Sequence, residues 1–338
     1  MEEIDDPVAI KVQALGDLEL AVLICLVADQ HCIIETEQNL INHVEAELKL
    51  VAGIVFGLSC TVLACTEDTT LDDFGNGILV GGDSENYFNS KGANVNDDYP
   101  PRTGTPPSAN RRLSKSPRSF SPIDTRKIAN LVIAKDLNMA SPQVQIQALE
   151  LIRGKRNFSR TAVYTAPKPF LFIALKSNGL PRLTSHLNDH MFISHKHRDE
   201  DGLPNLQDSA RDELDINQLT SRTSRVKISS EVRAYLHNIV VFMRLHRAVA
   251  GGISAMATRH FSILAHVLAP LHGLDYITPS LVALAARKIY PHRIAITAPE
   301  DERSMQWGSS LEAVQAVLDG VTEDDVVEEV LQSVEVPL

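Results

Sequence analysis

Residues 170–175 read FLFIAL, six apolar residues with no polar break. A run that short, apolar throughout, is the pattern of a strand covered on both faces; a half-exposed strand alternates, and a helix needs more length. Working outward, Ala129–Ala134 (ANLVIA) repeats the pattern and Ser59–Cys65 (SCTVLAC) is a strand of small and branched residues. His31–Ile34 and His190–Ser194 (HMFIS) are shorter strand candidates. Helical segments over 14–28, 36–56, 70–79 and 141–156 lie between them. Thr70 stands as an N-cap before Asp72 and Asp73, and Pro142 follows Ser141 at a first helical position. This alternation predicts an α/β fold: a five-stranded parallel sheet with flanking helices. Beyond residue 229 no strand signal remains. Helices over 229–247, 254–269, 278–290 and 309–332 predict an all-helical domain, with Gly251-Gly252 as a break and Ser254 capping the next helix.

The 338 residues correspond to about two domains. A hydrophobic content of 44% and a charged content of 22% exclude a mainly disordered or collagen-like chain. The net charge of −11 argues against broad, charge-driven nucleic-acid binding. The most apolar stretch, Leu18–Val27, contains Glu19 and falls well short of the ~20 residues of a spanning helix, so no membrane partner is expected. The start, MEEIDD, lacks the arginines of a transit peptide, and the expected location is cytoplasmic or nuclear. Cys25, Cys32, Cys60 and Cys65 match no zinc spacing and read as reduced, mostly buried thiols.

Composition divides the chain into five segments. Residues 8–80 and 128–228 carry the α/β pattern, the latter ending in a polar loop, and 229–298 carry the helical domain. Residues 81–127 are rich in Gly, Pro, Ser and Asn and read as a disordered insertion, because they bury too little apolar surface to offset ordering entropy. Residues 299–338 form a helical extension with eleven acidic residues and one arginine.

Specific residues carry a family resemblance. Ser254-Ala255-Met256-Ala257 opens one helix, Gly273–Pro279 (GLDYITP) precedes another, and Pro291-His292-Arg293-Ile294 closes it. This resembles the lid of AAA+ ATPases of the MoxR and magnesium-chelatase ATPase-subunit branch. The whole chain is similar to uncharacterised fungal proteins that carry the name magnesium chelatase. The resemblance implies a five-stranded AAA+-like sheet followed by the lid. It also implies ATP and Mg²⁺ as cofactors if the family activity is kept, and assembly into rings with copies or AAA+ relatives. It places the phosphate loop over Cys32–Asn42, Walker B at Val132–Ala140, sensor 1 at Pro169–Leu175 and the arginine-finger segment at Leu187–Phe192.

The side chains at those positions depart from the family. A phosphate loop needs glycines, a lysine and a Ser/Thr for Mg²⁺. Here stand Glu35, Thr36, Glu37, Gln38, Asn39, Leu40, Ile41 and Asn42. Lys135 and Asp136 occupy Walker B, Ser177 falls near the sensor-1 asparagine, His190 replaces the finger arginine and Met256 the lid arginine. The chain has no G-x-x-x-x-G-K-[ST] anywhere. The expectation is a degenerate AAA+ protein that acts by association with AAA+ subunits or other protein partners. An ATP-dependent magnesium-chelatase subunit, inserting Mg²⁺ into a porphyrin, is the enzyme alternative, and a lid-type interaction module the third.

Two further constellations have bland counterparts. His186, His190, His195 and His197, with Asp189, Asp199 and Asp201, are metal-ligating types, but a polar loop of exposed imidazoles is the preferred reading, and no metal is expected. Asn110–Lys127 is a basic island in which Ser116 and Ser121 precede proline; a solvated linker, a phosphorylated docking tail and a nuclear localisation signal all fit it.

Overall fold

The computed structural model describes residues 11–81, 126–159, 162–198 and 215–337. Five strands form the main sheet: β1 (Cys32–Thr36), β2 (Cys60–Ala64), β3 (Leu131–Lys135), β4 (Leu171–Ser177) and β5 (Ile193–Lys196). All pair in parallel, in the order β2-β3-β4-β1-β5. All but the first residue of the FLFIAL run lie in β4, the central strand, whose seven residues are all buried.

Period-two alternation splits this sheet between two cores. Ile34, Ile133, Ile173 and Leu175 face the larger one, with α1 (Asp17–Ala28) and α2 (Ile41–Leu50). Ile33, Val132, Phe172 and Ala174 face the smaller one, with α3 (Leu71–Gly77), α4 (Pro142–Gly154) and α5 (Ser185–His190). The C-terminal helices are α6 (Ile216–Thr223), α7 (Ser230–Leu245), α8 (Ala255–Leu271), α9 (Pro279–Ile289), α10 (Leu311–Leu318) and α11 (Glu323–Ser333). Their apolar faces join the larger core without a break, so Val232, Phe261, Tyr290 and Val327 belong to the same cluster as Ile34. Side-chain caps start these helices as the sequence suggests: Ser254 Oγ accepts from the Ala257 N–H at 2.9 Å, and Thr70 Oγ1 from that of Asp73 at 3.2 Å.

Several elements differ from expectation. The C-terminal region does hold strands: Val249–Gly251 pairs antiparallel with Ala295–Ile296. The two segments are too short to carry a hydrophobic pattern, and close backbone approach defines them. Gly252 has φ +99°, and a Cβ there would lie 1.9 Å from the Arg293 carbonyl oxygen. The helix expected over 309–332 is two helices, separated at Gly320 (φ +73°) and restarted by Thr322. The helix expected over 36–56 begins only at Ile41, and its last turn, Val51–Val55, is π-wound. A hairpin, Arg156–Phe158 with Val163–Thr165, follows α4, and Leu79–Val80 pairs with Lys127–Ile128. Most of the expected disordered insertion, with Ser116 and Ser121, lies outside the described residues.

The acidic C-terminal segment folds back onto the rest. Val326, Val327, Val330 and Leu331 of α11 are buried. On the other side of that helix Glu323 pairs with Arg182, Asp324 with Lys196 at 2.8 Å and Glu328 with Arg287 at 2.5 Å.

Candidate functional site

In parallel sheets the carboxyl ends of the strands are the usual ligand-binding edge. Here that edge is built from the ends of β1, β3, β4 and β5 and the start of α2. β1 continues through Glu35 and Thr36, which pair in register with Lys176 and Ser177 of β4. Only Glu37, Gln38, Asn39 and Leu40 then connect to α2, closed by a turn from the Leu40 N–H to the Glu37 carbonyl at 3.0 Å. Four residues of this kind cannot wrap backbone N–H groups around a triphosphate. Leu40 caps α2 with no side-chain hydrogen bond. Ile41, which the sequence resemblance aligns with the phosphate-loop lysine, is 2% exposed and packs in the larger core with Val44 and Leu48. A cationic side chain there would point into hydrocarbon.

Alternation along the strands sorts the polar ends. Glu35 and Lys176 share one face and form an ion pair at 3.0 Å, each largely shielded from solvent. Lys135, Ser177, Thr36 and His197 fall on the opposite face. The Lys135 ammonium donates to Asn42 Oδ1 of α2 at 2.5 Å and lies 3.3 Å from Glu45 Oε2. Burial opposes ionisation of Glu45, but hydrogen bonds from Lys49 and Lys135 outweigh it and lower its pKa. A lysine thus occupies the strand end where a magnesium-handling site would carry acid groups. Asp136, the next residue, sits in left-handed backbone at φ 52°, and burial raises its pKa against the pull of Lys135 and the Ser177 N–H. The buried Thr36 Oγ1, Ser177 Oγ and His197 Nδ1 have no hydrogen-bond partner among the described residues. The residues present do not fit Mg²⁺-ATP: the four-residue connection offers no cradle, Ile41 at its end is core, and the end of β3 carries a lysine ammonium already held by Asn42 and Glu45.

The remaining candidates lie where the lid meets α5. His190, at the end of α5, is half-buried, and burial followed by Arg153 lowers its pKa. Met256 is half-buried in the first turn of α8. Between them sits Arg293, which sequence reasoning named only as part of a lid signature. Its side chain is 1% exposed. It donates to the carbonyls of Ile289 at 3.1 Å, Asp189 at 3.2 Å and Met191, contacts His260 Nδ1 at 2.7 Å, and lies 3.6 Å from the Asp189 carboxylate. Asn188 Nδ2 donates to the His292 carbonyl at 2.6 Å, His292 Nε2 meets the Met191 carbonyl at 3.1 Å, and Ser254 Oγ donates to Asp189 Oδ1 at 2.7 Å. Together these contacts clamp the lid onto residues 188–191. Burial, followed by the Arg293 charge, pushes His260 down to about 3 and His292 well below its usual value.

His195 and His197 lie on one face of β5, ring centroids 6.4 Å apart, while His186 is exposed on α5. Among the described residues no group of three His, Cys, Asp or Glu side chains could hold a metal ion. Asp199 and Asp201 lie outside those residues. Sequence reasoning missed Asn42 and Glu45 as partners of Lys135, and Lys176 as partner of Glu35. Sheet register brings Glu35 to Lys176, and the packing of α2 on the sheet brings Asn42 and Glu45 to Lys135; a run of apolar residues encodes neither. Among the described residues no helix is long and apolar enough to cross a membrane.

Residues 241–330 match the family model of the AAA lid domain. The chain is 27% identical over 111 residues to Maintenance of telomere capping protein 2 of Lachancea thermotolerans, covering 31% of this chain and 39% of that protein. It is 26% identical over 98 residues to the protein of the same name in Kluyveromyces lactis, covering 28% of this chain and 36% of that one. The match thus spans under two fifths of the length of these curated relatives. A crystal structure of a candidate ATPase from Cytophaga hutchinsonii superposes with a TM-score of 0.65 at 14% identity, covering 98% of this chain and 94% of that one. The five-stranded parallel sheet with its helical lid is therefore an AAA+ ATPase fold carrying an AAA lid domain.

Proposed function

We propose that this protein acts through association with AAA+ subunits or other protein partners and does not hydrolyse ATP. The observation that carries the reading is Lys135, fixed by Asn42 and Glu45 at the metal-handling strand end. Two unit charges 4 Å apart repel by about 4 kcal/mol at an effective dielectric of 20, and a divalent ion doubles that. Ile41 in the core and the four-residue β1–α2 connection support the same reading. An AAA+ fold needs apolar pattern to persist, and it persists without catalytic side chains. A subunit of this kind fills a position in an assembly without turning over nucleotide. The two relatives named for telomere capping suggest a nuclear assembly at chromosome ends; exclusion of tagged full-length protein from the nucleus would remove that part of the reading.

Calorimetric titration of the full chain with Mg²⁺-ATP, paired with a phosphate-release assay and sedimentation, tests the proposal. The expected result is no saturable heat and no turnover, with self-association or capture by an AAA+ relative. Mg²⁺-dependent binding with turnover would sink it and favour a chelatase-type ATPase subunit.

A further inference from the structure

An apolar recess lies apart from Glu35, Thr36, Lys135, Lys176 and Ser177 of the strand-end site. It is a cavity of about 280 Å³ between α1, β5, α8 and α9, walled by Leu20, Ala21, Ile24, Ile193, Leu264 and Leu268. Helical spacing builds it: Leu20 and Ile24 are one turn apart on α1, as are Leu264 and Leu268 on α8, so each helix turns one apolar face inward. Its solvent-facing members are polar. Lys288, one turn after the lining residue Leu284 on α9, is half-buried, and His272 is the exposed C-cap of α8. Neither has a side-chain hydrogen bond or ion-pair partner among the described residues. Asp17 also lines the cavity, but it belongs to the first turn of α1, where the helix dipole stabilises an acid.

We propose that this cavity binds a monocarboxylic acid with an apolar body, the hydrocarbon inside and the carboxylate on Lys288 beside His272. An apolar recess with a few convergent polar groups at its mouth is the usual form of a small-molecule site. The wall supplies dispersion and burial; the unpaired ammonium supplies orientation, because a charge-assisted contact favours one end of the ligand over the other. Of the main sheet only Ile193 and His195 of β5 line the cavity, and Glu35, Thr36, Lys135, Lys176 and Ser177 do not, so the proposal goes beyond the association reading. ATP turnover would overturn that reading and leave this one standing.

Titration of the full chain with decanoate, decanol and decylamine, each below its micelle concentration at pH 8, tests it. One decanoate per chain is expected, with decanol about tenfold weaker. Lys288→Met keeps the apolar stem and removes the charge; it should cost decanoate about tenfold and leave decanol unchanged. Ala21→Leu narrows the cavity from its wall and should abolish decanoate binding. Lys288 is half-exposed, so its variant tests the proposal even if Ala21→Leu fails to fold. No saturable decanoate heat, equal affinity for the three probes, tightest binding of decylamine, or an unaltered decanoate affinity in Lys288→Met would each overturn the proposal.

Discussion

At the scale of single residues, the charged side chains at the strand ends compensate one another. Glu35 would repel a phosphate, yet it neutralises Lys176; Lys135 would repel a cation, yet it ties β3 to α2 through Asn42 and Glu45. The charged residues themselves were plain in the sequence. Their pairing was not, because it depends on which strand or helix lies beside which. A different acid nearby is uncompensated. Glu47 of α2 is buried, its Oε2 lacks a partner, and burial plus the Glu19 charge pushes its pKa up to about 7. A folded-state pKa above the unfolded one means this carboxyl favours folding while protonated; that contribution is complete below about pH 4.5 and is lost as pH rises through 7. Glu47→Gln mimics the protonated acid. Allowing for solvent screening, it should stabilise by about 1 kcal/mol at pH 8 and by almost nothing at pH 4.5. Denaturant melts at the two pH values compare these directly, and equal gains at both would refute the assignment.

At the scale of elements, the unit that matters is the clamp of α8, α9 and the turn at 290–293 on the end of α5. Its histidines make it sensitive to acid. His260 is held down to about 3, His31 beneath β4 to about 4, and His292 lower than usual, in each case first by burial. These groups are neutral when folded and protonate near 6.5 when unfolded. Stability is therefore full above about pH 6.5 and falls as pH drops toward 4. Each such histidine contributes about 1.4 kcal/mol per pH unit, so three approach about 4 kcal/mol per unit. The melting temperature should drop steeply between pH 6.5 and 5, and His292→Gln should flatten that slope by about one proton. A flat profile in wild type would contradict the burial argument. The elements themselves were read well where an apolar run met a cap, as at Ser254 and Thr278. They were read badly where a break depends on one backbone torsion, as at Gly320 between α10 and α11, or on close approach, as at Gly252.

At the scale of the whole molecule, sheet and lid share one core. A fragment of residues 225–338 would expose the apolar faces of α8 and α9 that α1 and β5 cover in the full chain. It should therefore lack a cooperative thermal transition by circular dichroism, whereas the full chain shows one; a sharp transition in the fragment would revive the lid-type interaction module. The overall layering was legible from five apolar runs and eight helical ones, while the joining of the two regions was not, since no local pattern announces a shared core. Arg293 gives that joining a mechanical meaning. Its guanidinium ties the backbone of α9 to the backbone after α5, with no flexible side chain from the far side in series. A displacement imposed on the lid is therefore carried straight to residues 189–191 at the end of α5, so this joint behaves as a stiff spacer and not as a spring.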